Sequence, residues 1–132
     1  MADKIEVQTL IEICQKDPKS ISIGGDAQRD ASFDFSLLTL QQIRDFISES
    51  LGKSNPVFVN VKESEARKGV MITAYKFSLL SKTGYIAYHW AFNGVGKKIH
   101  IKSMHQDGKG DLGVLGDQFA LLFAPKKGDS DE

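Results

Sequence analysis

The 132-residue sequence predicts an α+β fold, with two N-terminal helices packed on one face of an antiparallel β-meander of four to five strands. Three observations carry this reading. Apolar residues recur at helical spacing in two stretches before Gly52. The period changes to two from Pro56 onward, and the alternation gathers the large aromatics of successive strands on one face. A greasy sheet face and two greasy helix stripes bury each other most economically as a helix layer on a sheet.

The first helix follows Asp3, which with Glu6 resembles a capping box with Asp in place of Ser or Thr. Val7, Leu10, Ile11 and Cys14 form its stripe, and Asp17-Pro18 ends it, because the residue before proline is pushed out of the α region. Ser20–Ile23 and Ser32–Phe35 are expected as short strands, separated by a polar loop containing Gly24 and Gly25. The second helix starts at the Thr39-x-x-Gln42 capping box, carries Leu40, Ile43, Phe46, Ile47 and Leu51, and stops at Gly52 as its C′ residue.

In the β region, Val57, Val59 and Val61 alternate with polar or aromatic neighbours. Met71 to Leu79 and Ile86 to Phe92 alternate likewise around a turn at Ser81–Gly84, and Asn93-Gly94 is a hairpin signal that leads to Val95, Ile99 and Ile101. A four-residue Ser81–Gly84 loop pairs Leu80 with Tyr85, Phe77 with Tyr88, Tyr75 with Trp90 and Thr73 with Phe92. At Asn93-Gly94, a two-residue turn sets His89 opposite Lys98, and a four-residue turn sets it opposite His100. Either choice keeps the aromatics on one face, since a one-residue slip would send them into water. Asp111–Ala124 carries Leu115, Gln118, Phe119 and Leu122 at helical spacing, while Phe119–Phe123 reads equally as a buried strand. Residues 1–125 are expected as one domain, and 126–132 as a disordered charged tail.

Seventeen basic residues balance seventeen acidic ones, which argues against a DNA coat or an acidic mimic. The balance conceals a segregation: residues 1–56 carry 6 basic and 9 acidic groups (−3), residues 57–105 carry 8 and 2 (+6), and residues 106–132 carry 3 and 6 (−3). The sheet is therefore basic, and it holds all three histidines. Cys14 is the only cysteine, so no intramolecular disulfide forms, and its place on a helix stripe reads as a buried hydrophobe. Met1–Glu6 lacks the basic start and apolar run expected of a signal peptide, and the longest apolar run, Phe119–Ala124, is far short of the roughly 20 residues that span a bilayer. A cytoplasmic location is the default expectation, with no membrane association.

Two motifs fail on context. Gly108-Lys109-Gly110-Asp111-Leu112-Gly113 matches G-x-G-x-x-G but follows antiparallel hairpins, whereas a dinucleotide site needs a parallel βαβ unit. Asp107-x-x-x-Asp111 lacks the remaining ligands of a calcium loop.

The face turned away from the aromatics is more informative. It collects Lys76, His89, Lys98, His100 and Lys102 around Ala74, Ala87 and Ala91. Polar residues on the outer side of an antiparallel sheet need no function. Where the face does have one, a small non-enzymatic binding protein of inhibitor, immunity or adaptor type fits best, recognising an acidic protein or other anionic partner. An alternative is a metal-independent ribonuclease or RNA-binding domain. There His89 and His100 trade protons with a phosphodiester while Lys98 and Lys102 stabilise negative charge. A second alternative is a small-molecule pocket between sheet and helices lined by Tyr75, Tyr88 and Trp90. No cofactor is expected. A metal site built from His89 and His100 with His105 or Asp107 is disfavoured by the neighbouring lysines.

Overall fold

Helix α1 (Val7–Lys16) buries Leu10, Ile11 and Cys14, as its stripe requires. It ends at Asp17, whose extended backbone (φ −153°) suits the residue before Pro18, and the Asp17 carboxylate then caps a 3₁₀ turn over Pro18–Ser20. The computed structural model describes residues 4–79, 81–91 and 98–107. Glu6 occupies the N-cap of α1 and not the N3 position that the Asp3–Glu6 box requires, and Asp3 lies outside the described residues.

Strand β1 (Ile21–Ile23) forms where a strand was expected. Ser32–Phe35 does not: it is the last turn of a third helix, α2 (Gly25–Phe35). The buried residues of α2 are Ala27, Ala31, Asp34 and Phe35, a stripe of i, i+4, i+7 and i+8. Two alanines and a carboxylate hide that period from any count of large apolar residues. Asp34 is buried because the sheet satisfies it. Its carboxylate accepts the Gln106 N–H (2.8 Å), and its carbonyl accepts from Lys82 Nζ. The helix closes over Ser36 in the left-handed region (φ 59°), with Leu37 N–H donating to the Ala31 carbonyl.

Helix α3 (Leu40–Glu49) starts with both halves of its Thr39–Gln42 capping box in place. It buries Ile43, Phe46 and Ile47 and ends at Glu49, earlier than the expected stop at Gly52. Residues Leu51–Lys53 form a 3₁₀ turn that still delivers Leu51 to the core.

The five strands are β1, β2 (Val57–Glu63), β3 (Met71–Leu79), β4 (Lys82–Trp90) and β5 (Ile99–Gln106), in spatial order β1-β5-β4-β3-β2. Strands β2 to β5 are the expected meander, while β1 adds in parallel to β5 and makes the sheet mixed. The β3–β4 hairpin is tighter than expected. Leu79 pairs with Lys82, Phe77 with Gly84, Tyr75 with Ile86 and Thr73 with Tyr88. The difference is four positions, an even number, so every side chain keeps its face. Trp90 leaves the core as a consequence: it pairs with Ile99 at the end of the sheet and is 37% exposed. Leu80, Phe92, Asn93-Gly94, the glycine motif, 111–124 and the tail lie outside the described residues.

Two anchors hold the helix layer to the sheet. Phe77 packs between Phe35 and Phe46, with ring centroids 5.5 and 5.2 Å away. At the other end the segment before α1 crosses the sheet, where Ile5 N–H donates to Thr73 Oγ1 (3.0 Å) and the Tyr88 hydroxyl donates to the Ile5 carbonyl (2.9 Å). Edge strand β2 carries a bulge at Val59, which places both Phe58 and Val61 on the helix side, opposite Tyr75 and Thr73.

Gly84 is the position that lets Phe77 lie flat across β4, since a Cβ there would fall inside the van der Waals radius of the Phe77 ring. The flanking Phe35 and Phe46 leave that ring nowhere to go. Gly84→Ala is expected to lower stability in urea unfolding by about 1–3 kcal/mol, the range for overpacking. Gly52→Ala, whose Cβ meets nothing closer than Ile11 Cδ1 at 3.4 Å, should stay near wild type. Equal effects of the two would remove this role for Gly84.

Candidate anion-binding cleft

Period-two alternation places the first group of polar residues. Ile21 and Ile23 are in the core, so Ser22 between them faces the other side; Ile99 and Ile101 do the same for His100, and buried Tyr88 for His89. The parallel pairing sets Ser22 beside His100, with Ser22 Oγ 2.8 Å from His100 Nδ1. His89 pairs directly with His100, the register of the four-residue turn, and their rings lie 5.4 Å apart at 45°. Gly24 continues β1 past this point, its N–H donating to the Ile101 carbonyl (2.9 Å). A Cβ on Gly24 would stand 3.2 Å from His100 Nε2, so bare backbone makes room for the imidazole.

A register irregularity follows in β5. Tyr88 pairs with Ile101 but Ala87 pairs with Ser103, which leaves Lys102 as the extra residue. Below this bulge Met104 turns into the core, and Ser103 and His105 join Ala87 and Tyr85 on the outer face. All three histidines thus share one face, which strict alternation through β5 does not allow.

The β2–β3 connection supplies the other wall. Ser64 Oγ accepts the N–H groups of Ala66 and Arg67, Ser64 N–H donates to the Val70 carbonyl (2.8 Å), and the Glu63 carboxylate accepts the Gly69 N–H. Gly69 takes φ +87°, a conformation suited to glycine. These bonds preset a loop that reaches back across the sheet. Together with the strands it encloses a cleft of about 340 Å³ lined by Ser22, Ser64, Ala66, Arg67, Val70, His89, Ala91, His100 and Lys102.

Of the five expected patch residues, His89, His100 and Lys102 come together in this cleft. Lys98 sits just before β5, where its carbonyl accepts the Ala91 N–H, and does not line it. Lys76 lies at the far end of the face, ion-paired to Asp107 (3.2 Å) near the stacked rings of Tyr85 and His105. Ser22, Ser64 and Arg67 were not anticipated. Ser22 was legible, flanked by two isoleucines in an expected strand. Arg67 was not, because it reaches the cleft only through the fold of its loop.

Burial is the main reason that the His100 pKa lies below its ordinary value, followed by the positive potentials of His89, Arg67 and Lys102. The Nδ1 of His89 lies 2.8 Å from the Trp90 carbonyl, which can only accept, so Nδ1 carries a proton. Among the described residues no carboxylate lines the cleft. Among the described residues no group of three His, Cys, Asp or Glu side chains comes close enough to hold a metal ion.

Cys14 and the core tyrosines are packing residues. Cys14 is fully buried with its thiol 3.4 Å from the Arg44 carbonyl, and burial pushes its pKa up to about 11. Tyr75 and Tyr88 stack 6.4 Å apart in the core. A second depression of about 380 Å³ lies between the ends of α2 and α3, beside Phe35, Leu37, Phe46 and Leu79. Neither cavity is lined by Tyr75, Tyr88 or Trp90. Among the described residues no helix is long and apolar enough to cross a membrane.

No protein-family model matches the chain, and neither a curated protein nor a solved structure matches it.

The depressed pKa of His100 has a defined consequence for stability. Between its folded value and the ordinary value near 6.5, the unfolded chain holds more protons than the folded one, so stability falls as pH drops through that window. Urea unfolding at about pH 7.5 and about pH 5.5 is expected to show this loss in wild type and a smaller loss in His100→Gln. An identical loss in both would assign the acid sensitivity to other groups.

Proposed function

We propose that the chain is a non-enzymatic binding module that takes an anionic group of a partner, best supplied by an acidic protein, into the cleft at His89, His100, Arg67 and Lys102. One observation carries this reading: four basic side chains of β4, β5 and the Ser64–Val70 loop line one cavity, and no carboxylate of the described residues lines it. The surplus of basic residues over 57–105 adds a long-range attraction for acidic surfaces. The lowered pKa of His100 keeps that ring neutral at pH 7 and makes it a reserve of charge, because an anion beside it favours the protonated form.

The direct pairing of His89 with His100 favours a second reading, in which the two imidazoles act as acid and base on a phosphodiester beside Arg67 and Lys102. Incubating single-stranded RNA with wild type, His89→Ala and His100→Ala in a chelator separates the two. Cleavage by wild type that both variants lose would establish the nuclease; intact RNA with wild type ends that reading.

For the binding module, titration with a glutamate-rich peptide is expected to show affinity that falls as salt rises and strengthens as pH drops from about 7.5 to about 6, since protonated His100 adds a positive charge. Lys102→Ala should weaken binding roughly three- to tenfold, as expected for loss of a charge-assisted contact. Affinity indifferent to salt, pH and Lys102 would place any binding elsewhere.

A further inference from the structure

The hydroxyls of Ser48 and Ser54 donate to the Asp45 and Leu51 carbonyls, and Ser64 Oγ accepts two N–H groups of its own loop. Ser22 differs. It is exposed, and its Oγ stands 2.8 Å from Nδ1 of His100, a base on the neighbouring strand. The two residues are direct partners in the parallel ladder, and each is flanked by isoleucines buried in the core. Gly24 then brings bare backbone against the imidazole, since a Cβ there would stand 3.2 Å from Nε2. A nucleophile and a base are thus within hydrogen-bond reach, each fixed by the strand that carries it.

A serine hydroxyl is a weak nucleophile until a base takes its proton. His100 is fit to take it. Burial, and then the neighbouring His89, Arg67 and Lys102, lower its pKa below the ordinary value near 6.5, so the ring is neutral at about pH 7.5. Neutral imidazole carries one N–H. With that proton on Nε2 the Ser22 hydroxyl donates to Nδ1, which is the reacting arrangement. Among the described residues, the titratable or charged groups set against this ring are His89 from β4, Arg67 from the loop and Lys102 from β5, with the Ser22 hydroxyl from β1.

Space for an electrophile lies beside the pair. Ala66, Val70 and Ala91 give the cleft of about 340 Å³ a small apolar wall. That volume is at the lower end of the roughly 300–1,000 Å³ of ligand pockets, which suits a short acyl chain better than a long one. The transfer balances without a further reactant. Ser22 Oγ bonds to the carbonyl carbon of an activated ester or thioester while its proton passes to His100 Nδ1. The tetrahedral adduct then collapses: the bond from carbon to the leaving oxygen or sulfur breaks, and the leaving group departs with the proton of the imidazolium. Ser22 is left as an ester and His100 is neutral again. One transfer per chain, without turnover, is compatible with a binding module.

We infer that Ser22 is an acyl-acceptor site for activated esters or thioesters of short carboxylic acids, with His100 as its general base and Ala66, Val70 and Ala91 against the acyl chain.

The test is incubation of the full chain with p-nitrophenyl acetate at about pH 7.5, following p-nitrophenolate release, intact mass and the position of the acetyl group by peptide mapping. One acetyl group per chain is expected, on Ser22. Ser22→Ala should remove it, and His100→Gln should slow it at least about a hundredfold, the usual share of a general base. Ser48→Ala, which does not touch the cleft, should react as wild type. The rate should fall as pH drops through the His100 pKa, with an inflection below about 6.5 that survives His89→Gln. Acetyl groups on lysines with Ser22 left free, or a rate unchanged in Ser22→Ala or His100→Gln, overturn the assignment. Either result leaves anion binding at the cleft to be decided by the peptide titration.

Discussion

The short parallel pairing of β1 with β5 is the joint on which the rest of the molecule depends. Three residues, Ile21, Ser22 and Ile23, lie beside Ile99, His100 and Ile101, and this ties the first two dozen residues of the chain to its last described strand. The isoleucines of both strands are core residues, so the joint is held by apolar burial on one side and by the Ser22–His100 contact on the other. It fixes where α2 begins, since Gly24 extends the ladder by one bond before the helix starts. Closing a loop of nearly 80 residues costs more entropy than closing a hairpin, though the cost grows only with the logarithm of length. A contact of such long range forms late in folding more readily than early. The polar cleft and the core therefore share this joint.

Much of this was legible in the sequence, and the failures share a cause. The capping box at Thr39, the stripe of α1 and the aromatic face of the sheet were readable because large apolar residues mark them at a fixed period. Helix α2 escaped because its buried stripe is built from Ala27, Ala31 and Asp34, which are small or charged and acquire their meaning only from what packs on them. The tight β3–β4 turn escaped because Gly84 looks like a turn residue, while its role is to accommodate the Phe77 ring from within the strand. Parity of the strands survived the error, and with it the placement of His89 and His100 on one face.

The site was half legible for related reasons. Alternation located the histidines and Lys102. It could not foresee that a bulge beside Lys102 would bring His105 to the same face, or that Asp107 would neutralise Lys76. Nor could it show that a loop ordered by Ser64 and Glu63 would carry Arg67 across the sheet. Local pattern reports which side of a strand a residue occupies, and tertiary folding decides which of those residues meet.

The two edges that the sheet has among the described residues answer a different demand, that of staying apart from other sheets. A strand with one unpaired side is a template for pairing with another chain, and β2 is seven residues long with Val57, Phe58 and Val59 all substantially exposed. The bulge at Val59 breaks the regular spacing of its outward N–H and C=O groups in the middle of this apolar stretch, and Lys62 and Glu63 charge its end. On the opposite edge β1 offers only three residues before Gly24 leads into α2, too few to recruit a foreign strand. The irregularity of one margin and the brevity of the other thus let the fold keep a mixed sheet in a small domain without inviting edge-to-edge aggregation.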